Sequence, residues 1–163
     1  MLDRNFGVYS NKKVDVYLSF RNGKENHMGM PLPAGRIRVA KLDPADQSPE
    51  FIGEDLIDHT PKDEKVLLKL GSAFDVVGER RQVDFKVDSG RKTMEEEIEI
   101  RVRNQKEEPV TVLVKENLYR WVNWEIVRKT SSFDKQDAHS IQFPLKIDKG
   151  GEAVVRYAVR YTW

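Results

Sequence analysis

Alternation of apolar and polar residues with a period of two runs through most of this chain. It is clearest in IEIRVRN from Ile98, in IQFPLKI from Ile141 and in AVVRYAVRYTW from Ala153. Successive side chains of an extended strand point to opposite faces, so each segment has one apolar face. The same pattern recurs in VDVYLSF from Val14, RIRVAKL from Arg36, KVLLKL from Lys65, VDFKV from Val83 and VTVLV from Val110.

This alternation restricts the fold more than any other feature of the sequence. No segment of a dozen residues keeps the apolar i, i+3, i+4, i+7 stripe of an amphipathic helix, so we expect little or no helix. A sheet with one apolar face must bury that face against another layer. The sequence therefore predicts an all-β protein, an antiparallel β-sandwich of immunoglobulin-like type with about ten strands.

Turn-forming residues lie between the strand segments. Gly150-Gly151 separates two alternating runs and predicts a tight hairpin that pairs 141–148 with 152–162. Pro144 interrupts the first of these runs. Because proline cannot donate a hydrogen bond to a neighbouring strand, Pro144 predicts a sheet edge or a bulge.

The length of 163 residues suits one ordinary domain, and we predict a single domain over residues 1–163. A faint internal duplication leaves an alternative open. SFRN ends a strand at Asn22 and RVRN ends another at Asn104, and a charged loop follows each. Two small β-units, 1–78 and 79–163, would account for this similarity.

Composition excludes several classes of function. The chain has no cysteine, and its 28 basic and 27 acidic residues are interleaved. Nucleic-acid binding requires a concentrated basic face, so we expect no nucleic-acid partner. No apolar stretch approaches the ~20 residues of a membrane helix, so we expect no membrane span. The N-terminal residues lack the features of a signal peptide, and we expect the chain to be part of a longer protein.

The most acidic stretch is GEDLIDHTPKDE, from Gly53, with five acidic residues and one histidine. A metal site here would require Glu54 or Asp58 to converge with His59. Neighbouring side chains of a strand point apart, and the other two histidines are far off in sequence. We therefore interpret the stretch as a strand with a bulge or a bend at Gly53, followed by a turn, and predict neither a metal nor a cofactor.

Signals for catalysis are absent from the sequence. The chain has no G-x-S-x-G motif and no cysteine nucleophile, and it lacks the glycine-rich motifs that cradle nucleotide phosphates. His139 and Ser140 are adjacent in sequence, which is poor geometry for proton transfer between them. We predict no catalytic residues and a protein that is not an enzyme.

An aromatic stretch, NLYRWVNWEIV from Asn117, is the strongest candidate for a binding surface. In an extended segment Tyr119 and Trp121 share one face, while Arg120 is the odd residue on the opposite, apolar face. One face must be core, so Tyr119 and Trp121 could form a partly exposed platform for sugar rings or a protein partner. The alternative is that another segment covers both rings as part of the core.

The segments MGMPLPAGRIRVAKLD and FIGEDLIDHTPKDEKVLLKLGSAFDVVGER resemble a known family. This family is the C-terminal domain of unknown function of bacterial mucoidy-inhibitor-A-like proteins. The matching elements are Pro31–Gly35, Gly53-Glu54, His59-Thr60-Pro61 and Leu70–Val76. RVRNQKEEPVTVLVKE and VVRYAVRY fit the rest of the family pattern, so the resemblance covers most of the chain.

The resemblance implies a piece of a larger, exported bacterial protein of the periplasm or cell surface. In that family an N-terminal β-domain and a coiled coil precede this part, and they are potential partners of it. The family has no established catalytic residues to carry over. A cleft built from the PLPAG and His-Thr-Pro motifs is then the best place for a ligand site.

Three functions follow from these observations. The leading prediction is a non-enzymatic structural or protein-interaction module of a bacterial envelope protein. The first alternative is a carbohydrate-binding surface centred on Tyr119 and Trp121. The second is a metal-dependent hydrolase that uses His59 with Glu54 or Asp58.

Overall fold

The computed structural model describes Arg4 and residues 13–163. Within that part of the chain the secondary structure is almost entirely strand, and the one helical element is a 3-10 turn at Lys24–Asn26. No described helix is long and apolar enough to cross a bilayer. The strands are β1 Lys13–Arg21, β2 Gly35–Leu42, β3 Pro49–Ile57, β4 Lys65–Asp88, β5 Thr93–Asn104, β6 Val110–Asn117, β7 Asn123–Lys129, β8 Asp134–Lys135, β9 Ser140–Ile147 and β10 Glu152–Thr162.

The prediction of an all-β, antiparallel protein with little or no helix is therefore confirmed. The chain divides into two compact units. The larger unit comprises Met1–Lys13 and Phe74–Trp163, and the smaller unit comprises Val14–Ala73. The immunoglobulin-like arrangement, the single domain and its alternative division at residue 78 stay predictions.

The larger unit contains two antiparallel sheets with strand orders β4-β5-β10-β7 and β6-β9-β8. Their buried side chains meet, since the Phe143 ring of β9 lies 5.4 Å from the Tyr157 ring of β10. The alternation read from the sequence holds in these strands. Their buried apolar residues are Ile98, Ile100, Val102, Ile141, Phe143, Leu145, Ile147, Val155, Val159 and Tyr161.

The predicted hairpin at Gly150-Gly151 is wrong. β9 pairs with β6 and β8, whereas β10 pairs with β5 and β7, so the chain passes from one sheet to the other at this point. The glycines are bound to another loop, because Gly150 N–H donates to Lys106 O (3.2 Å) and Asn104 N–H donates to Gly151 O (2.9 Å). The inner faces of the two strands are aliphatic and aromatic, and they pack against each other instead of lying side by side.

The interpretation of Pro144 as an edge position is confirmed. β8 is two residues long and pairs only with Gln142 and Ile141 of β9. Among the described strands, β9 at Pro144 is therefore paired on one side alone, by β6. The nitrogen of Pro144 faces the side of β9 that has no strand partner at this position among the described strands, so the lack of an N–H breaks no ladder hydrogen bond.

In the smaller unit, β2 and β3 form an antiparallel ribbon, and β1 pairs with the first part of β4. The register shifts where Val39 faces Gly53 and Ala40 faces Phe51, so β3 contains the expected bulge. Gly53 also lies against β4, where a Cβ atom on it would be 2.7 Å from the carbonyl oxygen of Leu70. The core of this unit includes Val66 and Leu68, as the alternation predicts.

Two segments depart from the predicted one-sided burial. Val16 and Leu18 of β1 are partly exposed, because β1 is an edge strand of its sheet. Val83 is also exposed, because the β4–β5 register shifts between Gln82 and Asp84. After this irregularity Phe85 is half-buried and Val87 is 39% exposed, so the inner face predicted for VDFKV is not buried as a whole.

Candidate functional site

Residues 118–122, here called the aromatic segment, connect β6 to β7. Leu118 is buried, and its N–H donates to His139 O (2.7 Å), which extends the β6–β9 ladder by one residue. The strand-like alternation therefore continues beyond the end of β6. It places Arg120 inside and Tyr119 and Trp121 outside.

The outward side chains of the aromatic segment form what we call the aromatic platform. Tyr119 is 39% exposed, Trp121 44% and Val122 66%. Strict alternation from Leu118 and Arg120 would turn Val122 inward, but it is exposed because the chain bends before β7 begins. The structure thus puts both predicted aromatic residues at the surface, and their binding role stays a prediction.

The neighbouring Arg120 is enclosed, with a side chain that has 0% exposure. Its Nε donates to Glu96 Oε2 at 2.9 Å, and this carboxylate is also buried. One Nη donates to the carbonyl oxygen of Arg4 (3.3 Å), and the guanidinium lies 4.8 Å from the centre of the Phe85 ring. A buried charge requires such full pairing, so Arg120 fixes the main chain between the two aromatic residues.

Glu96 collects further donors in the same buried region. Gln82 Nε2 donates to Glu96 Oε2 (3.1 Å), and Tyr161 Oη donates to Glu96 Oε1 (3.3 Å). Burial and the nearby Glu96 carboxylate raise the pKa of Tyr161, and the same two causes raise the pKa of Tyr119. Both phenols therefore stay neutral and remain hydrogen-bond donors at ordinary pH.

A second buried ion pair lies between the sheets of the larger unit. Arg80 Nε of β4 contacts both oxygens of Glu116 of β6, at 3.1 and 3.0 Å, and Tyr157 Oη donates to the same carboxylate (2.5 Å). Burial alone would lower the pKa of Arg80, but the Glu116 carboxylate offsets it and the net shift is upward. Burial and Glu116 raise the pKa of Tyr157 well above its usual value. These groups bind one another, and no buried side-chain N or O atom in the described part of the chain lacks a hydrogen-bond partner.

One sequence signal pointed to this arrangement, namely a charged residue at position 120 on an otherwise apolar face. The carboxylate partner of Arg120 could not be identified from the sequence. Glu96 lies within the run Glu95–Glu97, and a run of like charges usually faces solvent. In the structure Glu96 faces inward, while Glu95 and Glu97 face outward and pair with Arg128 (2.9 and 3.3 Å). Sequence reasoning therefore missed the buried polar network under the aromatic platform.

The second predicted site, a cleft formed by Glu54, Asp58 and His59, is not assembled. Glu54 binds Arg36 Nη1 (2.7 Å) and Arg38 Nε (3.1 Å) on β2. Asp58 Oδ1 accepts the N–H of His59 at 2.7 Å, which is a contact within a turn. The three side chains therefore serve a ribbon and a turn, as the strand-and-turn interpretation predicts.

His59 instead lines an apolar hollow of about 470 Å³ in the smaller unit. The Leu32 and Thr60 main chains exchange two hydrogen bonds of 2.9 Å, and Ala34 N–H donates to His59 Nδ1 (3.3 Å). This hollow unites two of the motifs that carry the family resemblance, the PLPAG segment and His59-Thr60-Pro61. Its lining is Pro31, Leu32, Pro33, His59, Thr60 and Pro61.

The outward face of the larger sheet carries alternating charges. Glu99 is held by Arg81 (2.9 Å) and Arg101 (3.7 Å), and Arg156 also binds it. The hydrogen bond from Arg156 is the main cause of the lowered pKa of Glu99. Since these cations are engaged by carboxylates, this face offers no concentrated positive surface to a polyanion.

A metal centre does not emerge from the geometry. Among Arg4 and residues 13–163, no three or more histidine, aspartate or glutamate side chains are grouped so that they could hold an ion. The aromatic platform, with its buried ionic support, is the candidate site that the structure defines best.

No family model, curated protein or solved structure matches this chain, so its resemblance to the mucoidy-inhibitor-A-like domain stays a prediction.

Proposed function

We propose that this chain is a non-enzymatic interaction module that binds a protein partner through the aromatic platform. The observation that carries the proposal is the inverted burial in the aromatic segment. The Arg120 side chain is fully enclosed, while the adjacent Trp121 remains 44% exposed. Exceptions to the usual burial rule concentrate at functional sites, where binding recovers the stability that the exposed apolar surface costs.

The chemistry of the platform supports a protein partner. Tryptophan and tyrosine are the residues most enriched at the energetic centres of protein interfaces, because they bury a large area and keep a polar group for hydrogen bonding. The Arg120–Glu96 pair anchors the segment that carries both rings. Binding to a segment already held in place loses little conformational entropy.

The proposed setting is an exported bacterial protein of the periplasm or cell surface. The family resemblance supports this setting. The partner is then a separate envelope protein, or the coiled-coil and N-terminal regions of the longer chain.

A crosslinking experiment followed by titration tests the proposal. A photoreactive residue at the exposed position Val122 would capture the partner in intact envelopes, and the purified partner would then be titrated calorimetrically. We expect Trp121→Ala to weaken binding by at least about tenfold. Phe74→Ala, which removes another strongly exposed aromatic ring, should bind like the wild type. Equal affinity of Trp121→Ala and wild type would refute the proposal.

Carbohydrate binding is the second candidate, because two outward aromatic rings occur within three residues and flat rings stack on sugars. Screening of wild type and Trp121→Ala on a glycan array separates the two functions. A glycan signal that Trp121→Ala removes and Phe74→Ala retains would replace the protein partner with a sugar. A blank array together with a crosslinked protein would retain the first proposal.

A further inference from the structure

Within the part of the chain that the structure describes, strand β6 has one paired edge and one open edge. It is hydrogen-bonded to β9 over its full length, with an unbroken register from Val110–Ile147 to Asn117–Ser140. Among the described strands, none pairs with its other side. An open edge presents main-chain N–H and C=O groups that can continue the sheet into another chain.

The position of Pro144 shows which residues of β6 face that open edge. Leu113 lies opposite Pro144, which has no N–H, so this pair cannot exchange two hydrogen bonds. Leu118 N–H donates to His139 O in the same register, so the even-numbered residues bond to β9. The N–H and C=O groups of Thr111, Leu113 and Lys115 therefore point away from β9.

The open edge lacks the usual protection against pairing. From Val110 to Val114 the sequence is VTVLV, without a charge, a proline or a register shift. Leu113 is 57% exposed on the outer face. By contrast, the β7 edge has a bulge in its pairing with β10 and carries exposed Arg128 and Lys129. Natural edge strands use such devices to prevent association, and this stretch of β6 has none of them.

We infer that this edge docks a second copy of the chain, with the two β6 strands antiparallel about a two-fold axis. In the register that sets Thr111 opposite Leu113 of the second copy, the outward-facing main chains of both strands meet. Each Lys115 then lies opposite Pro109 of the other copy, next to the exposed Glu107 and Glu108. Two-fold symmetry repeats this pairing of opposite charges at both ends of the joint ladder.

The second copy fits this edge for a reason of charge and orientation. A parallel arrangement of the two strands would place Lys115 beside Lys115 and the acidic residues beside one another. The antiparallel arrangement replaces both repulsions with attractions. The net charge of the whole chain is +1, so general repulsion between copies is small. The resulting sheet has six strands in the order β8-β9-β6-β6-β9-β8.

Sedimentation velocity and amide exchange test the inference on the intact chain. We expect the sedimenting mass to double as concentration rises. Over the same range, amide exchange should slow at Thr111, Leu113 and Lys115, while Val112 and Val114 should already be protected in dilute solution. An envelope protein that docked on this edge instead would leave the purified chain monomeric at every concentration, and this outcome overturns the inference.

A backbone variant with a matched control identifies the edge. Leu113→Pro removes an N–H that has no partner within the sheet, and it should abolish the dimer while the circular dichroism spectrum keeps its β form. Val112→Pro removes an N–H bound to β9 and should unfold the larger unit. A folded Leu113→Pro protein that dimerises like the wild type contradicts the inference.

Charge exchange tests the register even if the proline variant fails to fold. Lys115→Glu alone and the double variant Glu107→Lys/Glu108→Lys alone should each remain monomeric, because like charges then meet. A mixture of the two should form a heterodimer, since every contact at the strand ends is again attractive. Lys41→Glu, an exposed substitution in the smaller unit, should dimerise normally. A mixture that stays monomeric, or single variants that dimerise as the wild type does, overturns the proposed register.

Discussion

Asn22 and Asn104 occupy equivalent positions in the two units. Each is buried at the end of a strand and joins two separate stretches of main chain through its side-chain amide. Asn22 Nδ2 donates to the carbonyl oxygens of Met30 (2.7 Å) and Pro61 (3.0 Å), and its Oδ1 accepts Gly29 N–H (3.2 Å). It thereby connects the loop after its own strand to a turn far along the chain.

Asn104 makes the same set of contacts in the larger unit. Its Nδ2 donates to the carbonyl oxygens of Glu108 (2.9 Å) and Asp148 (3.0 Å), and its Oδ1 accepts Lys106 N–H (3.1 Å). The SFRN and RVRN motifs therefore share a structural role as well as a sequence pattern. A buried amide with both ends bonded replaces the water that would otherwise satisfy these loop carbonyls.

We predict that Asn22→Ala and Asn104→Ala each lower the free energy of unfolding by about 1–3 kcal/mol per unsatisfied carbonyl group. Urea denaturation followed by circular dichroism would measure the loss. Asn123→Ala, at an exposed position on β7, is the matched control and should change stability little. A buried asparagine replaced without cost would contradict the role assigned to both residues.

A neighbouring pair of leucines tests the alternation in β4. Leu68 is fully buried, whereas Leu67 is 55% exposed. Leu68→Ala should cost about 2–5 kcal/mol, because it leaves a cavity in the core of the smaller unit. Leu67→Ala removes the same atoms from the exposed face and should change the free energy of unfolding by less than about 1 kcal/mol. Equal losses measured in urea would mean that both faces of β4 are buried.

For the buried ion pair beneath the aromatic platform, we predict that a second substitution restores stability lost through the first. Arg120→Met should cost about 3–5 kcal/mol, because it leaves the buried Glu96 carboxylate without its cation. Adding Glu96→Leu should recover much of that loss, since two apolar side chains can replace a buried pair. Thermal unfolding of both single variants and the double variant forms the cycle. A double variant less stable than either single variant would contradict this explanation, because removal of both charges would then cost more than leaving one charge unpaired.

The sequence predicted burial correctly where the polarity of each residue along a strand was enough to decide which face is core. Strands such as β9 alternate so strictly that Ile141, Phe143 and Leu145 are assigned to the core without ambiguity. The sequence did not predict the connection between strands where hydrogen bonds to residues far away in the chain determine it. The Gly150-Gly151 turn looks like a hairpin locally, but Asn104 and Lys106, more than forty residues earlier, bind it as a crossing between sheets.

The candidate site shows the same limit. Alternation alone put Tyr119 and Trp121 on one face, and the structure agrees that both face outward. Which face is core could not be settled from position 120, because a buried arginine requires a carboxylate that the local sequence does not supply. Glu96, on a different strand, supplies it. For the cleft, the prediction that Asp58 and His59 point apart rested on strand geometry, but β3 ends at Ile57 and both residues lie in the turn that follows.

Close approach of two strands leads to a prediction about Gly53. A Cβ atom at this position would lie 2.7 Å from Leu70 O and 3.0 Å from Leu70 Cα, so β3 or β4 must shift to admit it. Gly53→Ala should therefore destabilise the smaller unit by about 1–3 kcal/mol. Gly35→Ala, where nothing lies within 4 Å of the new methyl group, is the control. Urea midpoints that fall equally in both variants would rule out a steric cause at Gly53.

The buried tyrosines predict a loss of stability in alkaline solution. Burial and the Glu116 carboxylate raise the pKa of Tyr157 above the ordinary value of 10.0, and burial with Glu96 raises that of Tyr161. Above pH 10.0 the unfolded chain releases protons that the folded chain keeps, so the free energy of unfolding falls as pH rises. Each such group contributes a slope of up to about 1.4 kcal/mol per pH unit. Below the ordinary pKa the contribution is complete and independent of pH.

Phenylalanine substitutions assign this slope to individual groups. Tyr157→Phe should lower stability at neutral pH, because Glu116 loses a donor, but it should make the alkaline decline shallower. Adding Tyr161→Phe should flatten it further, because a second phenol no longer ionises on unfolding. Urea titrations at a series of pH values around and above the ordinary tyrosine pKa would measure both effects. An unchanged slope of the free energy of unfolding against pH in the double variant would contradict the prediction. Groups other than Tyr157 and Tyr161 would then cause the alkaline loss of stability.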